Sequence, residues 1–596
     1  MIYHLSLHLL NMPRKILFFV CVCGLFAILI NALNAQARSG DWLTWGGDAE
    51  RTSWNRSERT LTKSNIRNLE LKWKTQIDKA VPLDIESGAS MLTAPLVATD
   101  VQTPQGRRSL VFTLSAANTI VALDPATGKP IWQRTLDKTV QPVSAANWIC
   151  TNTSTATPVI DRSKGILYAL SADGRLHSLA IATGQDELPP VDFVPAYSRN
   201  WSLNLVDGVI YTTVGRGCGN APINDGPDRA AGPAGRGPAA SEFTPALPDA
   251  QSRARGAGRG RGSVPPAVAA HMIAIDMNNP SHPITRFMTS TSRPSGAWSR
   301  AGLAWAGNSL LVQTADGVFD PSKNLWGETL LRLAPKTLTV MDYFTPPNLD
   351  ELNTLDLDYG SGGVIAFQNG NRQLVVSGGK DGTIYLLDGA SLGGADHKTP
   401  LFSLKIGNDA MLYASNGIWG APATLTDSRN RRWIYVPMWG PPSKAANFKL
   451  KNGDAADGSI MALQLSTTGQ TPSLEPMWVS RNLAVPDSPV VANGMVFAIS
   501  TGENTLQRHT DPRYLQAYQK PGEPPLSNQG TMTAEERGMF TKGAVLYVFD
   551  AETGQELYSS GSAIDDWTHL SSITVANGQV YVTTRQSNVY AFGLKK

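Results

Sequence analysis

From residue 108 onward the chain repeats a single phrase: a short, mostly apolar strand, a turn carrying Gly or Asn, a second strand ending near Asp, then Thr-Gly and often an aromatic residue. The fullest copy is Val111-Phe112-Thr113-Leu114, Ile120-Val121-Ala122-Leu123-Asp124, Thr127-Gly128 and Trp132. Further copies place Leu167-Tyr168-Ala169-Leu170 before Thr183-Gly184, and Val209-Ile210-Tyr211 before Met272-Ile273-Ala274-Ile275-Asp276. Others begin at Leu310, Leu374, Trp433 and Met495. A unit of this size cannot bury its own faces, so the copies must pack against one another. Short strands with tight turns at even spacing predict the blades of a β-propeller.

The last copy is cut short. Val580-Tyr581-Val582 and Val589-Tyr590-Ala591-Phe592 lack a following Thr-Gly and outer strand, whereas Leu69-Glu70-Leu71-Lys72-Trp73-Lys74 is a lone strand ahead of the first full copy. Pairing the two inside one blade closes the ring without a free sheet edge. The expectation is therefore an all-β, eight-bladed propeller of four-stranded blades, closed by its N- and C-terminal strands and occupying residues 38–596 as one domain. Within the phrase, Gly suits a tight turn and Trp a wedge between neighbouring blades.

With 52 Lys and Arg against 49 Asp and Glu in 596 residues, the charge balance gives no footing for nucleic acid or an acidic membrane. Pro13-Arg14-Lys15, the apolar run Ile16 to Ile30 and Ala35-Gln36-Ala37 have the order of a signal peptide over residues 1–37, cleaved after Ala37. An uncleaved anchor is the alternative. After cleavage the expected location is periplasmic or secreted. Cys21 and Cys23 fall in the apolar run, which leaves Cys150 and Cys218 to the mature chain. In an oxidising compartment these two form a disulfide with each other or serve as two unrelated small buried residues.

Two insertions break the period. Residues 219–270 are rich in Gly, Ala, Pro and Arg and cannot offset their ordering entropy by burial, so they read as a disordered loop, with a basic docking tail as the functional alternative. Residues 502–542 are polar, with a short helix expected near Ala534-Glu535-Glu536-Arg537 and a role as a lid.

The opening Trp42-Leu43-Thr44-Trp45-Gly46-Gly47-Asp48, with Asn65-Ile66, Leu69 and Trp73, resembles the start of pyrroloquinoline quinone (PQQ) dependent dehydrogenases, and the Thr-Gly-Trp repeat extends the resemblance along most of the chain. In that family a quinone stacks on a Trp in the central funnel beside a calcium ion held by Glu, Asn and Asp. An Asp acts as general base, and a Lys or Arg lies near the quinone oxygens. The resemblance implies Trp298 in Gly296-Ala297-Trp298-Ser299 as the stacking residue and Asp316 in Thr314-Ala315-Asp316-Gly317 as the calcium ligand replacing Asn. It implies Asp356 as general base and further metal ligand, Asp358 as its catalytic neighbour, and Lys380 in Gly379-Lys380-Asp381-Gly382 as the quinone-binding cation.

The chain also departs from the family. No acid stands near Leu92, where a Glu is expected; Asn147 to Trp148 replace an Arg; Gly217 or Cys218 falls where a calcium-binding Glu belongs; and the adjacent-cysteine ring disulfide is missing. No Cys-x-x-Cys-His is present for covalent haem, so a dehydrogenase built on this chain needs an external electron acceptor. Two functions follow: a PQQ-dependent alcohol or sugar dehydrogenase acting on a small hydroxyl-bearing substrate, or a non-catalytic propeller that binds an envelope protein partner.

Overall fold

The computed structural model describes residues 40–78, 92–142, 152–154, 156–215, 268–291, 295–412, 415–506 and 540–595. Expectations for the signal peptide, Cys150, Cys218, Asn147 to Trp148, Gly217, the helix near Ala534 and most of both insertions lie outside these residues.

Eight blades form a ring. Blade 1 is built from Leu96–Thr103, Gly106–Leu114, Thr119–Leu123 and Pro130–Thr135, each strand antiparallel to the next. Blades 2 to 7 occupy 159–192, 199–288, 304–344, 365–405, 417–479 and 490–559. Blade 8 combines Ile573–Ala576, Gln579–Thr583 and Asn588–Leu594 with Leu69–Gln76, whose residues Leu69 and Gln76 pair with Leu594 and Asn588. The ring therefore closes by the strand expected from the sequence.

Burial explains why the blades read as they do. Every residue of Thr119–Leu123 is buried because the blade is covered on both faces, whereas the outer strand Pro130–Thr135 has no buried residue. The wedge is equally physical. Trp73 of blade 8 lies against Gly128 of blade 1, Trp132 of blade 1 against Gly184 of blade 2, and Trp478 of blade 6 against Gly554 of blade 7. Their indole N–H groups donate to the carbonyls of Pro125, Ile181 and Ala551. These glycines, at φ 68°, 72° and 73°, satisfy two demands at once: a left-handed turn and room for an indole.

Residues 42–58 make a second closure. Trp42 bridges Val97 in blade 1, the Leu43 carbonyl accepts from Ile160 in blade 2, and Ala49 accepts from Trp305 in blade 4. Thr52 and Ser53 accept from Thr424 and Val491 in blades 6 and 7, while Asn55 donates to Val575 in blade 8. Trp45 packs with Ala94, Ala301 and Ala421, and its indole donates to Ser572 Oγ at 2.8 Å. A side chain that touches blades 1, 4, 6 and 8 at their innermost ends stands on the ring axis. Beside it, fully buried Arg51 donates to the carbonyls of Trp45, Leu203 and Leu303 and to Thr44 Oγ1; burial pulls its guanidinium down to about 9.

Candidate functional site in the central funnel

Three residues ahead of Ala301 in the chain, Trp298 enters the funnel from the segment between blades 3 and 4. Asp316 follows the second strand of blade 4, Leu310–Gln313. Asp356 and Asp358 follow the helix α1, Leu349–Leu355, the single α-helix among the described residues. Lys380 stands in the turn between Arg372–Gly378 and Thr383–Asp388 of blade 5. Two strand ends, one helix end and one inter-blade segment thus bring all five residues named from the sequence to one place.

Their geometry is compact. Carboxylate oxygens of Asp316, Asp356 and Asp358 lie within 4.8 Å of one another. Lys380 Nζ pairs with Asp358 Oδ2, stands 3.8 Å from Asp356 Oδ2 and donates to the Asp356 carbonyl at 3.1 Å. Asp358 Oδ1 accepts from the Asp316 backbone N–H at 3.2 Å. The side chains of Lys380 and Asp358 are 4% and 2% exposed, against 24% for Asp356, so Asp356 is the member of this ion-paired trio that solvent reaches. Asp356 caps α1 in the left-handed region at φ 50°, which turns the chain toward the funnel.

An aromatic wall backs the carboxylates. Lys380 Nζ lies 5.1 Å from the Trp298 ring centroid and 4.8 Å from that of Trp419. Trp419 meets Trp298 edge-on at 5.3 Å and stacks in parallel on Trp439 at 4.2 Å. Trp298 is half-buried and the other two are buried.

Several groups here have no counterpart in the sequence reading. Glu328 is fully buried, accepts from the Tyr359 N–H through Oε2 at 2.6 Å, and keeps Oε1 without a hydrogen-bond partner. Burial first, then the charge of Asp358, pushes its carboxyl well above the usual range. Beyond Trp439 the His569 ring centroid lies at 6.5 Å, with Nδ1 at 2.5 Å from Glu503 Oε2. Asp487 accepts from the N–H groups of Ser488 and Ser572, and burial raises its carboxyl. Arg300, over the Trp201 ring at 5.0 Å, is pulled down by burial to about 10, with Asp487 opposing the shift. Glu328 and Glu503 occupy irregular turns where the repeat offers no register. Trp419 and Trp439 carried a legible signal, since each precedes a Gly outside the Thr-Gly-Trp phrase.

Three hard carboxylate ligands from blade 4 and the segment leading to blade 5 make a donor set suited to a hard metal cation such as calcium, and Glu328 Oε1 nearby has no hydrogen-bond partner. Trp298 presents part of an aromatic face beside that set, which suits a flat conjugated ring. At the first departure from the family, Leu92 is buried in the apolar core and bridges Ser115.

Residues 42–191 match the family of glucose/ethanol/alcohol dehydrogenase β-propeller domains. A relative, the glycerol dehydrogenase large subunit of Gluconobacter thailandicus, is 26% identical over 180 residues, 30% of this chain and 22% of that protein. The chain therefore matches about a fifth of its relative's length. Similar solved structures include a quinohemoprotein alcohol dehydrogenase from Comamonas testosteroni, at 13% identity, 95% coverage of this chain, 82% of that one and a TM-score of 0.53. A europium-containing methanol dehydrogenase shares 11% identity, with 94% and 99% coverage and a TM-score of 0.53. At these identities the likeness concerns the fold. The ring is an eight-bladed β-propeller, and the segment 42–191 matched to the dehydrogenase family supports a propeller of the PQQ-repeat kind.

Proposed function

We propose that this chain is a periplasmic or secreted PQQ-dependent dehydrogenase that oxidises a small alcohol or sugar and passes electrons to an external acceptor. The observation that carries the reading is the convergence of Trp298, Asp316, Asp356, Asp358 and Lys380, from blades 3 to 5 and the segments between them, on one cluster. Asp316, Asp356 and Asp358 would hold the cation, Trp298 would offer its face to the quinone, and Lys380 would supply positive charge beside it. Bound there, the pair supplies a two-electron acceptor polarised by a divalent charge. Asp356, reached by solvent, takes the substrate hydroxyl proton on its carboxylate. Asp358, paired with Lys380 and accepting from the Asp316 N–H, fixes the loop on which Asp356 turns. The aromatic wall keeps water from the opposite side.

Purified protein mixed with PQQ and calcium is expected to quench quinone fluorescence and to reduce a dye when given an alcohol. Absence of binding at micromolar quinone sinks this reading. The second reading, a scaffold propeller for an envelope partner, draws on Leu92, a buried apolar residue where the family resemblance calls for Glu. It predicts partners recovered by crosslinking in the envelope and no phenotype for Asp356→Ala.

A further inference from the structure

Glu328 is held in a place that the stability of the fold does not account for. It is fully buried at φ 49°, a left-handed conformation that strains a residue with a side chain. Its Oε1 has no hydrogen-bond partner among the described residues, so the carboxyl loses hydration there without full replacement. Costs of this kind collect where a site must be held in shape. Two of the bonds that Glu328 makes run to the segments that carry the carboxylate cluster. Its N–H donates to the carbonyl of Ala315, next to Asp316, at 2.9 Å, and its Oε2 accepts from the N–H of Tyr359, next to Asp358, at 2.6 Å.

The same two segments touch directly. A Cβ on Gly360 would stand 2.8 Å from the Thr314 carbonyl carbon and 2.9 Å from the Ala315 nitrogen, so the loop after Asp358 lies against the backbone that leads to Asp316. Gln313, at the end of that strand, donates through Nε2 to the carbonyls of Tyr359 at 2.8 Å and Gly378 at 3.1 Å, which ties in the turn of Lys380. Main chain and buried side chains thereby set the spacing of Asp316 and Asp358.

We propose that Glu328 is a positioning residue of the cation site, bracing Asp316 against Asp358 so that the cluster selects ions by radius. This rests on the cation-site reading above. A loose set of ligands reshapes itself around large and small ions alike, whereas a braced set loses ligand contact on either side of its preferred size. The brace needs the Oε2 acceptor of Glu328 rather than its charge, which distinguishes its role from that of a ligand. A glutamine at this position keeps that acceptor; a methionine of similar length does not.

Terbium luminescence reads this without any turnover, since the rings of Trp298 and Trp419 lie 5.1 and 4.8 Å from Lys380 Nζ, itself paired with Asp358, and can sensitise an ion in the cluster. Full-length wild-type protein, Glu328→Gln and Glu328→Met are loaded with terbium, which calcium, strontium and barium then displace. Wild type and the Gln variant are expected to favour one of the three competitors by about tenfold, and the Met variant to hold all three within about threefold. Glu328→Asp, which withdraws the carboxyl by one methylene, takes the place of Met if that variant does not fold. A folded Met or Asp variant with the wild-type profile, a Gln variant as flat as Met, or a flat profile in wild type overturns the bracing role and leaves the cation site standing. No ion binding by any of the proteins overturns both.

Discussion

Trp132 of blade 1 lies against Gly184 of blade 2 so closely that a Cβ on the glycine would stand 2.6 Å from the indole. The same glycine holds φ at 72°, a region that side chains avoid. Replacing it therefore strains the turn and pushes out the wedge together. Gly184→Ala is expected to cost about 2–4 kcal/mol, read as a lower urea midpoint. Gly165→Ala serves as the comparison: its φ is 68° but nothing lies within 4 Å of the added carbon, so only the strain remains.

His177 gives the fold an acid limit. It is buried in blade 2, with Nε2 at 3.1 Å from Ser171 Oγ and Nδ1 without a partner, and burial holds its imidazole down at about 4 from 6.5. The folded protein takes up this proton only near pH 4, whereas the unfolded chain takes it up near 6.5. Stability is thus lost as pH falls between those values. The loss is expected to be on the order of 2 kcal/mol by pH 4 after allowance for solvent screening. Denaturant midpoints from pH 7 to 4 should flatten in His177→Gln; an unchanged slope contradicts the assignment.

Arg51 anchors the second closure of the ring through four acceptors, three of them backbone carbonyls. Arg51→Met removes the donors and leaves those carbonyls buried, a loss expected to reach about 3–5 kcal/mol. Proteolysis should then cut within residues 42–58 before any blade is cleaved.

Asp358→Asn removes the nearer of two carboxylates from the buried Lys380 charge, leaving Asp356 at 3.8 Å, and is expected to destabilise the metal-free protein by about 2–3 kcal/mol. Adding Lys380→Met should recover most of that, giving a coupling of about 2 kcal/mol in a double-mutant cycle. Additive effects would show that the two residues do not depend on each other.

Ring and closure were legible because they follow from period. Val111 to Trp132 states a whole blade in one stretch, and the orphan strand at Leu69 announces its partner at Val589. Trp298, Asp316, Asp356, Asp358 and Lys380 were legible only through the resemblance to the PQQ-dependent dehydrogenases, position by position along its motifs; the period alone does not single them out. Glu328 and the His569–Glu503 pair were not, because a buried carboxyl in an irregular turn has the same one-letter pattern as an exposed one. The three-tryptophan wall was missed for a different reason: Trp419 and Trp439 are adjacent only across blade 6, through the pairing of Gly417 with Trp439. The second closure was hidden too, since Trp45 and Arg51 find their partners only when the ring exists.

Trp45 joins segments of blades 1, 4, 6 and 8 through one indole. A keystone shared by separate parts of an arch makes them stand or fall together: loosening any one of these four blades loosens the grip on the other three, and the eight repeats, alike enough to melt one by one, are bound into a single cooperative body.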